Sequence, residues 1–229
     1  MEHLLLLHGA IGTKDQLSPL ADALKDRYTV HTISFCGHGG APFAEEPFSM
    51  ELFANDVLQY LQRNKIEQVN IFGYSMGGYV ALYLAKHHPH LINKVITLAT
   101  KFYWDENIAA KEIKMLDAAT IEEKIPAFAA QLQQRHGLQN WKPLLEKTAA
   151  LLTSLGKNNV LNAEDYSTIN NPALVLLGDR DKMITLEETI AVYTALPNAR
   201  MGMLPNTAHP IEKVHVELLS FLITQFLGG

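Results

Sequence analysis

The chain is expected to be an α/β protein, with a mainly parallel sheet of about six strands flanked by helices in a single domain. Three observations support this. Short apolar runs of β-type recur at 4–7, 28–35, 69–72, 95–99, 173–177 and 200–204. Segments with helical signals lie between them, and strands alternating with helices favour a parallel sheet covered on both faces. The 229 residues, 48% of them hydrophobic, are enough to bury one large core.

Taken in order, the first strand is broken by His8-Gly9-Ala10, and Ser18-Pro19 opens a helix because serine caps and proline fits the first turn. The second strand carries Thr29, His31, Thr32 and Ser34, polar enough for a sheet edge. Ser49 precedes a helical run over 50–64. The third strand enters Gly73-Tyr74-Ser75-Met76-Gly77-Gly78, with a helix-forming run over 79–88 behind it. After the fourth strand about seventy residues pass without a clear strand, which predicts an inserted helical cap at about 101–171. There Thr120 and Glu123 have capping-box spacing, Gly137 and Gly156 stand where helix C-caps would, and Asn140 can cap the run between them. Pro126 marks either a kink or a restart. Pro210 marks the start of the terminal helix, with Val214, Leu218, Phe221, Leu222 and Phe226 on one stripe.

Composition narrows the function. A net charge of -5 without a basic stripe argues against nucleic acid as a partner. The lone Cys36 cannot form an intramolecular disulfide and reads as a buried structural residue. The apolar run at 4–7 is too short for a signal peptide or a membrane span, so a cytoplasmic location and no membrane partner are expected. His87, His88 and His90 surround Pro89 with no carboxylate or cysteine at ligand spacing, so no metal is expected. The glycines at 73, 77 and 78 lack the dinucleotide rhythm, so no cofactor is expected either.

The chemistry concentrates around Ser75. A serine between tiny residues on a strand-to-helix turn projects its hydroxyl clear of the sheet. It needs a base, and the base needs a carboxylate to hold its tautomer. His209 follows the last strand in Asn206-Thr207-Ala208-His209-Pro210, and Asp179 and Asp181 follow the strand before it. With His8-Gly9-Ala10 after the first strand, this order resembles the α/β-hydrolase family over essentially the whole chain.

The resemblance implies a triad of Ser75, His209 and Asp181. The family's Gly-x-x-Asp pattern selects Asp181 and leaves Asp179 as a turn or supporting residue. The oxyanion donors would be the backbone amides of Ala10 and Met76, with His8 bracing the loop. The stretch 34–41 resembles the family's Asp-x-Pro-Gly-x-Gly-x-Ser turn, with serine, cysteine and alanine in place of aspartate, proline and serine, and His38 there reads as structural. The first strand begins almost at Met1, so the family's usual antiparallel pair before it is expected to be missing, which would turn 28–35 into an edge; a homodimer through that edge is a hypothesis. Phe102, Tyr103 and Trp104 either line a substrate pocket or cement cap to core, and Lys101 reads as solvated rather than as a substrate contact.

The function implied is a cofactor-independent serine hydrolase acting on a small or medium carboxylic ester or thioester, a small-molecule acyl substrate. The same triad also serves carbon-carbon hydrolases, lyases of menaquinone biosynthesis and cofactor-free haloperoxidases, and a binding receptor on the same scaffold is a further alternative.

Overall fold

All six expected strands form, and they pair into one wholly parallel sheet. A computed structural model describes residues 1–228. Its strands are β1 (His3–Leu7), β2 (Thr29–Ile33), β3 (Val69–Tyr74), β4 (Ile92–Leu98), β5 (Ala173–Gly178) and β6 (Ala199–Leu204), in the order β2-β1-β3-β4-β5-β6. Every neighbouring pair is parallel. β3 and β5 are buried along their whole length, as interior strands covered on both faces must be. β2 is an edge, as its polar residues suggested, and only Ile33 in it is buried.

The period-2 alternation of β1 divides its leucines between the two faces. Leu4 and Leu6 pack with α1 (Ser18–Leu24) and the terminal helix α10 (Val216–Gly228). Leu5 and Leu7 pack on the other face with α2 (Met50–Arg63) and α3 (Met76–His87). All four are fully buried, and each contributes about 2 kcal/mol of transfer free energy. Ser49 caps α2 as expected, its hydroxyl accepting from Leu52 N at 3.0 Å.

Five helices lie between β4 and β5: α4 (Glu106–Ile113), α5 (Ala118–Lys124), α6 (Pro126–His136), α7 (Trp141–Lys157) and α8 (Ala163–Ser167). Trp141 centres a core of their own with Ile121, Ala129, Leu132 and Leu145. The adjoining face of α7, through Leu144, Leu151 and Leu155, joins the sheet core. Among the described residues no helix is long and apolar enough to cross a membrane.

The structure resolves or corrects several local expectations. Ser18 is the first residue of α1 and Leu17 its N-cap, so the serine does not cap it, and Asn140 stands at the N-cap of α7 without a side-chain bond. Pro126 restarts the chain, at the first position of α6. The cap of α5 is Asp117, whose carboxylate accepts from Thr120 N, so Thr120 is inside the helix rather than capping it. Gly137 ends α6 at φ 89, but Gly156 lies inside α7. A Cβ on Gly156 would stand 2.7 Å from Ala109 Cβ and 2.9 Å from the Asp105 carbonyl, so it is small because α4 packs there. Pro210 precedes a short 3-10 turn, Ile211–Lys213, and α10 starts only at Val216. Of the expected stripe Val214 and Phe226 are buried, Leu218 and Leu222 half-buried and Phe221 exposed; the buried face of α10 itself is Leu219, Ile223, Phe226 and Leu227.

Candidate active site

Ser75 occupies the junction of β3 and α3 with φ 51 and ψ -120, a left-handed conformation that costs a non-glycine residue roughly 1–3 kcal/mol. The sheet holds it there. Ser75 N donates to Leu98 O at 2.8 Å, and its carbonyl accepts from Gly78 N at 2.9 Å and from Thr100 Oγ1 at 3.1 Å. The flanking glycines are steric necessities. A Cβ on Gly73 would collide with the backbone of Gly77 and Gly78, one on Gly77 would reach Leu7 O at 2.5 Å, and one on Gly78 would strike Thr100 Oγ1.

The loops after β5 and β6 bring the acid and the imidazole together. Asp181 Oδ2 accepts from His209 Nδ1 at 2.8 Å, while Oδ1 accepts from Met183 N at 2.8 Å and Ile184 N at 3.0 Å. Burial by itself would raise the pKa of Asp181. The bond to His209, its charge and the two amides outweigh burial and hold the carboxyl below its usual range. Because the carboxylate can only accept, Nδ1 carries a hydrogen, and in the neutral tautomer this selects, Nε2 is the nitrogen with the lone pair. Asp179 does different work: its Oδ1 accepts from Thr207 N at 3.1 Å and stitches the acid loop to the histidine loop. His209 stands over Tyr74, ring centroids 5.6 Å apart, and Tyr74 Oη donates to the His209 carbonyl at 2.9 Å. The residue before Ser75 therefore fixes the main chain of the imidazole.

The turn after β1 completes the group. A Cβ on Gly9 would meet Ser75 Cβ at 3.1 Å, so this turn abuts the serine. Gly12 N closes it on Gly9 O at 3.1 Å. Among the described residues no protein acceptor takes the amide hydrogens of Ala10 or Met76. His8 is a brace: Nε2 accepts from Phe35 N at 3.2 Å, so Nδ1 carries the hydrogen donated to Gly9 O at 2.8 Å. Burial, helped by nearby His136, pushes its pKa down to about 4, although the Gly9 carbonyl opposes this. His38 is fully buried against Phe35, Phe48 and Phe53, with Nδ1 on the Cys36 carbonyl. Cys36 is half-buried rather than buried, and burial with the neighbouring Asp56 pushes its thiol up to about 12.

Phe102 is buried edge-on to Tyr166, Trp104 is tied to Asn159 by two hydrogen bonds, and Tyr103 is exposed. Lys101 departs from the solvated reading. Its side chain is largely buried, with Nζ on the Met183 carbonyl at 2.7 Å and 3.8 Å from Glu188, so it clamps the acid loop to the end of β4. Thr100, Tyr74 and Lys101 carry no local sequence signal for these contacts, which join residues at least 25 apart.

A groove of about 420 Å³, lined by Lys94, Arg200 and Phe226, lies at the N-terminal ends of β4 and β6. Ser75, Asp181 and His209 gather instead at the carboxyl ends of the strands, where open α/β sheets bind ligands. Among the described residues no group of three histidine, cysteine, aspartate or glutamate side chains is arranged to hold a metal ion.

A family model described as the alpha/beta hydrolase fold matches residues 2–143. A pimeloyl-[acyl-carrier protein] methyl ester esterase of Aeromonas hydrophila is 27% identical, over 98% of this chain and 95% of its own. A 2-(acetamidomethylene)succinate hydrolase of Mesorhizobium japonicum is 21% identical, over 99% of this chain and 88% of its own. Among solved structures, MenH from S. aureus superposes with a TM-score of 0.80 at 22% identity, covering 99% of this chain and 93% of its own.

Proposed function

Because this chain belongs to the alpha/beta hydrolase fold family, we propose that it is a cofactor-independent serine hydrolase cleaving a small or medium carboxylic ester or thioester through an acyl-enzyme on Ser75. The observation that carries this reading is the 2.8 Å bond from His209 Nδ1 to the buried, ionised Asp181, beside a serine held in a left-handed turn.

In this reading Ser75 Oγ attacks the acyl carbon while His209 Nε2 takes its proton. The bond to the leaving oxygen or sulfur then breaks, and that atom receives the proton from His209. Water repeats the sequence: His209 accepts its proton, the hydroxide adds to the acyl carbon, and Ser75 departs with the proton as the acid is released. Asp181 stabilises the imidazolium that forms in each half. The Ala10 and Met76 amides receive the oxyanion, and the N-terminal dipole of α3 reinforces Met76.

The helices between β4 and β5 act as a cap that selects the acyl group, with exposed Tyr103 available to a substrate. Residues 101–171 carry eight lysines and arginines against nine aspartates and glutamates. That balance supplies no basic field to gather an anionic, carrier-borne acyl group, which favours a small free ester or thioester.

Intact-protein mass after exposure to a fluorophosphonate tests the reading. One adduct is expected on the wild type and none on Ser75→Ala or His209→Ala. Folded wild type that gains no mass would overturn it.

A further inference from the structure

We infer that His136, at the C-terminal end of α6, is a positioning residue that holds the oxyanion turn in its working shape. The inference rests on the Ser75 hydrolase reading above and adds a residue to that machinery.

The turn Gly9–Gly12 has an unfavourable residue at its third position. Ile11 has φ 50, where a turn of this kind ordinarily takes glycine and where a β-branched side chain is a true outlier. Something outside the turn must hold it, and the helical insertion does so in two ways. The Ile11 side chain packs against the core of Ile121, Leu132 and Trp141. Its carbonyl meets His136 Nε2 at 2.9 Å.

The state of that imidazole follows from its other contact. Gly39 N lies 3.0 Å from His136 Nδ1, and an amide can only donate, so Nδ1 is the bare nitrogen. The hydrogen is therefore on Nε2 and is donated to Ile11 O. His136 is 1% exposed, and both ring nitrogens are committed to backbone, one on the oxyanion turn and one on the turn after β2. Burial favours the neutral form against the pull of the Ile11 carbonyl, and the adjoining Arg135 adds to it; the ring lies 6.1 Å from that of His38. Ala10, whose amide is the proposed oxyanion donor, lies between the two residues that define the turn, Gly9 and Ile11. A slack Ile11 carbonyl lets that amide rotate away from the developing charge.

Arg135 supports the same region more weakly. It meets Glu212 at 2.8 Å, and Glu212 also accepts from Gln16 Nε2 at 2.6 Å, but Glu212 is 45% exposed and such pairs contribute little. His136 is thus the element that matters.

The test compares His136→Gln, His136→Asn and His136→Ala on two readouts. A glutamine amide reaches about as far as Nε2 and can keep the bond to Ile11 O, whereas asparagine reaches only as far as Nδ1 and can keep only Gly39. Loss of a full oxyanion donor costs about 100- to 1000-fold, so His136→Ala and His136→Asn are expected to lose about 10- to 100-fold in kcat with KM within about threefold, and His136→Gln to retain most of the rate. The second readout is amide hydrogen exchange. Peptides covering residues 8–17 should exchange faster in the alanine and asparagine variants while those covering 74–80 do not change, a result that needs no turnover. Equal exchange and equal kcat in all three variants would overturn the role of His136, as would asparagine rescuing as well as glutamine. If the wild type gives no fluorophosphonate adduct yet exchange follows the expected order, the hydrolase reading fails and the hold on the turn stands.

Discussion

Two residues of the site share almost the same unfavourable backbone angle, Ser75 at φ 51 and Ile11 at φ 50, yet they are held by different parts of the molecule. Ser75 is gripped by the sheet, through Leu98 and Thr100 at the end of β4 and through glycines that admit α3. Ile11 also touches the sheet core, but its carbonyl is held by the insertion, through His136, and its side chain packs on the insertion's own core around Trp141. The nucleophile therefore inherits the rigidity of six paired strands. The turn carrying the other amide inherits that of five helices joined on at one connection. Strain of this kind persists only where its surroundings over-determine it, and here two separate surroundings do so.

The largest effect expected on the sheet-held side comes from the acid loop. Asp181→Asn leaves the contacts of similar shape but forces the wrong histidine tautomer, so kcat should fall about 10,000-fold, while Asp179→Asn, which only staples two loops, should stay within about tenfold. A steady-state assay of the two variants decides between them, and equal losses would remove the distinction drawn between the aspartates.

Acid should act first on the other side. His8, which braces the turn after β1, titrates near 6.5 in the unfolded chain but only at about 4 when folded. The unfolded state thus binds the extra proton between those values. The stability gained by burying a neutral His8 is complete above pH 6.5 and is lost as pH falls toward 4, by about 3 kcal/mol. Denaturant midpoints from pH 7 to pH 4 should show this slope, and His8→Gln should flatten it; an unchanged slope in that variant would assign the loss elsewhere. The smallest effect is expected for Thr100→Val, which keeps shape and removes one hydroxyl from the Ser75 carbonyl. Gly78 N still serves that carbonyl, so the cost should be about 1 kcal/mol in thermal or chemical melts.

The same division explains what could be read from the sequence. The strands and the positions of Ser75, Asp181 and His209 were legible because each is a local signal: an apolar run followed by a turn of fixed composition. The family pattern even separated Asp181 from Asp179. His136 could not be read this way, because its meaning depends on Ile11 and Gly39, 125 and 97 residues away. Gly156 resembled a helix stop because glycine usually is one, and only the approach of α4 shows why it sits within α7. On α10 two apolar faces lie side by side, one through Leu218, Phe221 and Leu222 and one through Leu219, Ile223 and Leu227, and only the packing of the helix on the sheet shows that the second is the buried one.

The bond between α6 and the first turn of the fold also limits how this scaffold can be re-engineered. Grafting in the insertion of a relative would exchange the five helices as intended, but it would also remove the donor at position 136 and the wall behind Ile11. A workable chimera must carry an equivalent donor with the graft, or replace Ile11 by glycine so that the turn can close unaided. The insertion is in this sense a non-interchangeable part, although it enters and leaves the sheet at one place.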